Sequence, residues 1–128
     1  MKILRYDALR DADRLISLLK HEGDDWSCYH SDTAAPRYLN ALKQSISYVT
    51  YEDDCLCGYV RALDDCGLYI YICDLLVMKE HRGNAIGKSL MEHLRAIFPN
   101  QNVYVMSGVD GYYHKLGYHK EGSIFELP

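Results

Sequence analysis

Apolar and polar residues recur along the chain with two different periods, and these periods predict its elements. Short runs rich in β-branched and aromatic residues predict strands. Those runs cover residues 2–6, 46–52, 55–63, 68–77 and 102–106. Apolar residues spaced three or four apart predict helices. These helices run from a cap at Asp7 or Asp11 to about His21, and over 34–45, 85–98 and 110–117.

The order of these elements predicts the fold class. Residues 118–127 indicate a final strand or hairpin, which completes the order β-α-α-β-β-β-α-β-α-β. Three consecutive strands without a helix argue against a doubly wound fold. The clear crossover joins strand 68–77 to strand 102–106 through helix 85–98. We therefore expect one α+β domain over residues 1–128, with a mixed, mostly antiparallel sheet flanked by helices in three layers.

Composition excludes several classes of protein. Hydrophobic residues make up 48% and charged residues 25%, as in ordinary globular domains. The net charge of -4 argues against a nucleic-acid partner, because such proteins usually carry a basic stripe. No apolar run reaches the ~18 residues of a membrane span. The five cysteines form no C-x-x-C pair, so we expect no metal site and reduced thiols in the cytoplasm.

An acidic, aromatic segment covers residues 21–36. It holds four acids and no Lys or Arg, with three aromatic or imidazole side chains among them. One interpretation is a solvated loop. The other is an aromatic-lined lip that attracts a cation to a pocket. In that case the substrate-binding residues are Asp25, Trp26, Tyr29 and His30.

A glycine-bearing turn follows the longest apolar strand and leads into a helix. It reads Arg82-Gly83-Asn84-Ala85-Ile86-Gly87-Lys88. The first turn of a helix has N–H groups without intrahelical partners, and its dipole favours an anion. Arg82 and Lys88 add positive charge. The spacing matches neither a P-loop nor G-x-G-x-x-G, so the residues alone leave a phosphate cradle and a plain glycine turn both open.

Residues 75–90 resemble the acetyl-coenzyme A motif of the GNAT superfamily of N-acetyltransferases, which reads Q/R-x-x-G-x-G/A after a strand of the form L-x-V. Residues 112–118, Tyr-Tyr-His-Lys-Leu-Gly-Tyr, are similar to the family's F-Y-x-x-L-G-F. The resemblance covers residues 46–120 well and implies the GNAT fold with acetyl-coenzyme A as cofactor. One departure is Ala85, which stands where the motif has Gly. Alanine suits the first turn of a helix, so we expect the backbone to fold as in the family, with the methyl group near the pyrophosphate.

The resemblance also implies where the coenzyme lies. The N–H groups of residues 83–88 would hold its pyrophosphate. The backbone of Leu75 and Val77 would pair with its pantetheine arm, in a gap between strands 68–77 and 102–106. Ser107 stands where many relatives place an Asn against that arm. The expected coenzyme-binding residues are Leu75, Val77, Arg82, Gly83, Asn84, Ala85, Ile86, Gly87, Lys88 and Ser107.

Two residues are candidates for proton transfer. The resemblance implies that Tyr113 is the general acid that protonates the departing thiolate, with Tyr112 and Tyr118 as packing residues. Asp74 is the candidate base, because strand alternation puts it on one face with four apolar residues, where desolvation favours proton uptake. The alternative is a structural Asp bonded to a nearby loop. The four apolar residues are Leu68, Ile70, Ile72 and Leu76.

The sequence therefore predicts an N-acetyltransferase that moves an acetyl group from acetyl-coenzyme A to a primary amine of a small cationic molecule, by direct transfer. Residues 71–75 also resemble the Y-I-Y-D-L segment of some aminoglycoside N-acetyltransferases. The alternatives are an enzyme acting on a protein or peptide, a non-catalytic acyl-coenzyme A sensor, and a nucleotide-binding domain of another fold. Ala85 favours the sensor, whereas Tyr113 and Asp74 favour an enzyme. We expect a monomer or a homodimer.

Overall fold

A computed structural model of residues 1–128 contains five strands and five helices. The strands are β1 (Lys2–Arg5), β2 (Ile46–Glu52), β3 (Cys55–Asp64), β4 (Tyr69–Val77) and β5 (Asn102–Val105). The helices are α1 (Ala8–Glu22), α2 (Ser27–His30), α3 (Ala35–Gln44), α4 (Ile86–Ile97) and α5 (Asp110–Lys115). No helix is long and apolar enough to cross a bilayer.

The strands form one sheet in the order β1-β2-β3-β4-β5. Neighbouring strands are antiparallel except β4 and β5, which are parallel and are joined by the crossover through α4. Hairpins join β2 to β3 and β3 to β4. The structure confirms the mixed, mostly antiparallel α+β sheet that the element order predicts.

Helix α1 begins at a carboxylate cap and ends at a glycine. The Asp7 side chain accepts a hydrogen bond from the N–H of Leu9, at 3.0 Å. The Asp11 carboxylate accepts from the N–H of Asp7, at 2.8 Å, so both predicted caps contribute. At the other end, Gly23 has φ of 115°, a value that side chains rarely allow, and its N–H bonds to the carbonyl of Leu19.

Each face of the sheet has its own core. Helices α1 and α3 cover one face with a cluster of buried residues that includes Leu15, Leu19, Tyr38, Leu42, Val49, Tyr59 and Leu76. Helix α4 covers the other face with a second cluster that includes Val60, Ala62, Ile70, Ile72, Ile86, Leu90 and Leu94. The sheet is therefore the middle of three layers, as expected.

A β-bulge in β4 changes which face Asp74 occupies. Arg61 pairs with Asp74 whereas Ala62 pairs with Ile72, so Cys73 is an extra residue in β4. Ile72 belongs to the core under α4, while Leu76 belongs to the core under α1 and α3. The expectation that Asp74 shares a face with Ile70 and Ile72 is therefore wrong. The bulge turns Asp74 toward α3, where it meets Tyr38.

The tail differs from its prediction. Residues 118–127, expected to form a strand or hairpin, have no regular secondary structure. The chain from His119 onward is exposed, and no strand pairs with it. Its apolar residues Ile124, Phe125 and Leu127 are 61%, 83% and 85% exposed. Without a partner strand or a buried face, a short apolar run gains nothing from the extended conformation.

The acidic segment is more regular than a loop. Residues Asp24–Trp26 form a 3₁₀ turn, and α2 follows directly. The segment packs against α1 and α3, which fixes its aromatic side chains relative to the sheet. Another 3₁₀ turn, Lys79–His81, joins β4 to the glycine-bearing turn before α4.

Candidate active site

A cleft opens where β5 stops pairing with β4. The ladder between them covers Tyr69–Ile72 and Asn102–Val105, and its last bond joins the N–H of Met106 to the carbonyl of Ile72, at 3.0 Å. From Cys73 to Val77, the edge of β4 that faces β5 has no strand partner. This is the gap in which an extended chain could add to the sheet through backbone hydrogen bonds.

The glycine-bearing turn presents a row of N–H groups at the end of this cleft. The N–H groups of residues 83–88 have no hydrogen-bond acceptor in the chain, and no side chain caps α4. A Cβ atom at Gly83 would meet nothing within 4 Å, so the space outside the turn is open. An uncapped helix start with open space before it suits an anion.

Ala85 has a conformation that the sequence did not predict. It is the N-cap of α4, with φ of 59° and ψ of 24°, which is the left-handed region. The expectation that it lies in the first helical turn is therefore wrong. An L-residue with a Cβ is strained in this conformation by about 1–2 kcal/mol, whereas glycine is not. This conformation explains why the related motif has Gly at this position.

The polar side chains of the turn bond within the protein. The Arg82 guanidinium binds the Glu22 carboxylate at 2.6 Å and the Val77 carbonyl at 2.9 Å. Its charge is therefore paired, and the Val77 carbonyl expected to meet the pantetheine arm already accepts one hydrogen bond. The Asn84 amide donates to the carbonyl of His81 at 3.3 Å, and Lys88 pairs with Glu92 at 3.7 Å.

Ser107 also bonds locally. Its hydroxyl donates to the Asp110 carboxylate at 2.6 Å and accepts from the N–H of Val109 at 3.2 Å. These bonds shape the loop that enters α5. The glycine-bearing turn therefore offers an anion its backbone N–H groups more than its polar side chains.

Asp74 is the centre of a buried polar network. It is 5% exposed and forms an ion pair with Arg61. The Tyr38 hydroxyl donates to Oδ2 and the Tyr29 hydroxyl donates to Oδ1, each at 2.8 Å. The Tyr59 hydroxyl bonds to that of Tyr38 at 2.6 Å. The surroundings of Asp74 are therefore polar, and both of its oxygens are engaged.

The structure brings part of the acidic segment to this network. Tyr29 of α2 reaches Asp74, stacks on Tyr38 with ring centroids 4.1 Å apart, and contacts Trp26. His30 instead bonds to the carbonyl of Gly23 at 2.9 Å. Asp25 is exposed in the 3₁₀ turn. Four residues were expected to form a substrate lip. Tyr29 and Trp26 are half-buried and form an aromatic wall, and Asp25 contributes an exposed charge. His30 instead bonds to the backbone of the protein.

Tyr113 lies on α5, on the α4 side of the sheet. It packs against the core under α4 and stacks on Tyr118, with ring centroids 6.3 Å apart. Burial raises the pKa of Tyr113 to about 12, with smaller contributions from the neighbouring Tyr112 and Tyr118. Its hydroxyl therefore carries a proton throughout the physiological pH range.

Comparison with known proteins identifies the family. The model of the acetyltransferase (GNAT) family matches residues 15–118, which include the β4 edge, the glycine-bearing turn and α5. The chain belongs to the GNAT family. A search of curated protein sequences finds no significant match.

Solved GNAT structures share the fold at low sequence identity. An N-acetyltransferase of Thermoplasma acidophilum in complex with coenzyme A is 16% identical, with a TM-score of 0.75 over 97% of this chain and 94% of that one. An aminoglycoside 6'-N-acetyltransferase complexed with coenzyme A is 21% identical, with a TM-score of 0.69 over 91% of this chain and 73% of that one. A ribosomal-protein-alanine N-acetyltransferase from Brucella melitensis is 17% identical, with a TM-score of 0.71 over 99% and 98%.

The GNAT family uses acetyl-coenzyme A, and the cleft fits that cofactor. The row of free N–H groups at residues 83–88 suits a pyrophosphate, and the unpaired edge of β4 suits an amide-bearing arm. Gly83 leaves open space where the phosphates would approach. Ala85 already holds the left-handed conformation that the turn requires, so its methyl group does not prevent the turn from forming.

Sequence reasoning missed three members of the Asp74 network: Tyr38, Tyr59 and Arg61. They come from α3 and β3, so no local spacing connects them to Asp74. One signal was present. Arg61 is a charge within an otherwise apolar strand, and a charge there predicts a buried partner on a neighbouring strand.

Proposed function

We propose that this chain is an N-acetyltransferase that moves an acetyl group directly from acetyl-coenzyme A to a primary amine of a small cationic molecule. The hydrogen bond between Tyr29 and Asp74 carries the proposal, because it ties the acidic segment to the unpaired stretch of β4. When bound, acetyl-coenzyme A supplies an activated thioester. The chain must therefore bind an amine, remove its proton and protonate a thiolate.

The charge of the acidic segment supports a cationic substrate. Asp24, Asp25 and Asp32 are exposed there, and no Lys or Arg lies among them. Trp26 and Tyr29 add aromatic faces, which attract a cation through their ring quadrupoles. This combination favours an ammonium group over a neutral or anionic acceptor.

Asp74 is the proposed acceptor of the amine proton, and Tyr29 is its link to the substrate. Asp74 itself is buried, while Tyr29 is half-buried and donates its proton to Oδ1. Burial and the hydrogen bond to Asp74 raise the pKa of Tyr29, so its hydroxyl keeps its proton at neutral pH. The ammonium group donates to the Tyr29 oxygen as the Tyr29 proton moves to Asp74. The net result is one proton transferred from the amine to the carboxylate.

Tyr113 is the proposed general acid, and its Oη is the atom that donates. Since burial raises the pKa of Tyr113 to about 12, the phenol remains protonated throughout the physiological pH range. Ionisation of Tyr113 therefore produces no alkaline decline in the rate below about pH 11. An alkaline decline below that pH must come from another group.

The proposal is tested by thiol release from acetyl-coenzyme A over a panel of polyamines, aminoglycosides and peptides with free N-termini. We expect turnover with a small polycation, and a kcat about 100-fold lower in Tyr113→Phe with little change in coenzyme affinity. The control is Tyr118→Phe, which removes a hydroxyl from the same motif. Equal rates for wild type and Tyr113→Phe would exclude Tyr113 as the acid.

Two other outcomes would replace the proposal. Turnover restricted to the peptides would indicate a protein or peptide N-acetyltransferase. Tight binding of acetyl-coenzyme A without turnover on any amine would indicate a non-catalytic acyl-coenzyme A sensor. Titration with coenzyme A and ADP separates both from a plain nucleotide-binding site, at which ADP would compete as well as the full coenzyme.

A further inference from the structure

The first tyrosine of the carboxyl-terminal motif, Tyr112, touches the glycine-bearing turn. A Cβ atom at Gly87 would lie 2.7 Å from the Tyr112 hydroxyl oxygen, which is closer than side chains normally approach. The missing side chain of Gly87 therefore makes room for this hydroxyl. In this chain the second glycine of the turn has a partner within the protein, on α5.

The same point also touches β4. The Leu75 Cδ2 atom would lie 3.7 Å from that Cβ position. The Tyr112 hydroxyl thus lies beside the first turn of α4, near the side chain of Leu75, which belongs to the unpaired stretch of β4. These are the two elements that offer backbone groups to the arm and the pyrophosphate of the coenzyme.

The hydroxyl is available for a ligand. The Tyr29, Tyr38 and Tyr51 hydroxyls all donate to buried carboxylates. The Tyr112 hydroxyl has no hydrogen-bond partner in the chain, and the residue is 39% exposed. Burial of the rest of the ring raises the pKa of Tyr112, so the hydroxyl remains a donor.

The sequence adds an independent observation. The related motif F-Y-x-x-L-G-F has phenylalanine at this position, so a ring is sufficient for packing. This chain has Tyr112 there, and its extra oxygen lies against the turn. We propose that Tyr112 is a further coenzyme-binding residue, whose hydroxyl donates a hydrogen bond to a pyrophosphate oxygen held at the first turn of α4.

This inference rests on the coenzyme site of the proposed function and is independent of the acceptor amine. Calorimetric titration with coenzyme A, and competition by ADP, test it without turnover. We expect Tyr112→Phe to weaken both ligands about tenfold, the effect of one hydrogen bond to a charged group. Free pantetheine, which lacks the pyrophosphate, should bind equally to both proteins. Tyr118→Phe is the matched control and should bind coenzyme A as wild type does.

The steric contact provides a second variant. The family pattern accepts alanine at the position of Gly87, but here a methyl group would displace the Tyr112 hydroxyl. Gly87→Ala should therefore weaken coenzyme A about as much as Tyr112→Phe does. In the double variant the two losses should not add, because both remove the same hydrogen bond.

The outcomes separate this inference from the proposed function. Unchanged coenzyme A affinity in Tyr112→Phe, with normal binding by wild type, overturns the role of Tyr112 alone. A lower melting temperature of Tyr112→Phe with unchanged affinity for coenzyme A would assign Tyr112 to packing and would also overturn the inference. No binding of coenzyme A by wild type overturns the coenzyme site and the proposed function together.

Discussion

The two faces of the sheet differ in how their polar groups are satisfied. Under α1 and α3, two carboxylates are buried, and donors from the same chain surround both. Asp11 accepts from Arg10, the Tyr51 hydroxyl and the N–H of Asp7. Under α4 no carboxylate is buried, yet the N–H groups of residues 83–88 at its edge have no acceptor.

This difference separates stability from binding. A buried charge that loses its partner leaves an uncompensated group, so the α1 and α3 face should be sensitive to small polar changes. Residues 83–85, before α4, are exposed, so their free N–H groups are solvated. This edge therefore costs little when empty and gains a partner when an anion arrives. Removal of a buried polar group on the first face should lower stability, whereas removal of a coenzyme contact on the second should weaken coenzyme binding.

The largest expected effect is loss of the Asp11 carboxylate. Asp11→Ala leaves the Tyr51 hydroxyl and the N–H of Asp7 without their acceptor in a buried place, and should lower the free energy of unfolding by about 3 kcal/mol. Urea denaturation measures this. Asp13→Ala, two residues on and exposed, should change stability by less than about 0.5 kcal/mol. Similar losses in both variants would remove the distinction between the faces.

Two hydroxyls on Asp74 provide a pair that sharpens the comparison. Tyr29→Phe and Tyr38→Phe each remove one donor to Asp74. Tyr29→Phe should cost about 1 kcal/mol of stability, and Tyr38→Phe about 2 kcal/mol, because it also leaves the buried Tyr59 hydroxyl without its partner. Only Tyr29 links Asp74 to the substrate side in the proposed proton transfer, so only Tyr29→Phe should also lower kcat. Equal kcat values in the two variants would contradict the relay.

Relief of backbone strain should act at the α4 edge. Ala85→Gly removes the Cβ from a left-handed residue and should raise the free energy of unfolding by about 1 kcal/mol. Ala41→Gly, inside α3, should lower it by about as much, since glycine is unfavourable within a helix. Destabilisation by Ala85→Gly would mean that the methyl group makes contacts that outweigh the strain.

The smallest expected effect is on the acid side of the stability profile. Burial raises the pKa of Asp11, but hydrogen bonds from Arg10 and Tyr51 outweigh this and hold the pKa below its usual value. A lowered pKa stabilises the fold above the ordinary pKa of an aspartate, near 3.9, and that contribution is lost as the pH falls through the lower native value. Urea denaturation at pH 6, 4 and 3 should show the decline in wild type and a smaller one in Asp11→Asn.

Local pattern was sufficient for most of the fold. Strand β2 has the predicted bounds, 46–52, and α4 differs from its predicted range by one residue at each end. Alternation along a strand and three-to-four spacing along a helix are properties of adjacent residues. The predicted strand or hairpin over residues 118–127 was wrong because this apolar run has no partner strand. No local pattern shows whether a partner strand is present.

The candidate site, like the fold, was predictable from the sequence only in part. The sequence by itself determined the glycine-bearing turn, the motif around Tyr113 and, through them, the family and its coenzyme. Only the tertiary structure decided that Cys73 is an extra residue in β4, that Asp74 meets Tyr29 and Arg61, and that Arg82 is paired with Glu22. The physical reason is that register and side-chain pairing depend on segments far apart in the chain. A motif records only the conformation of its own neighbours.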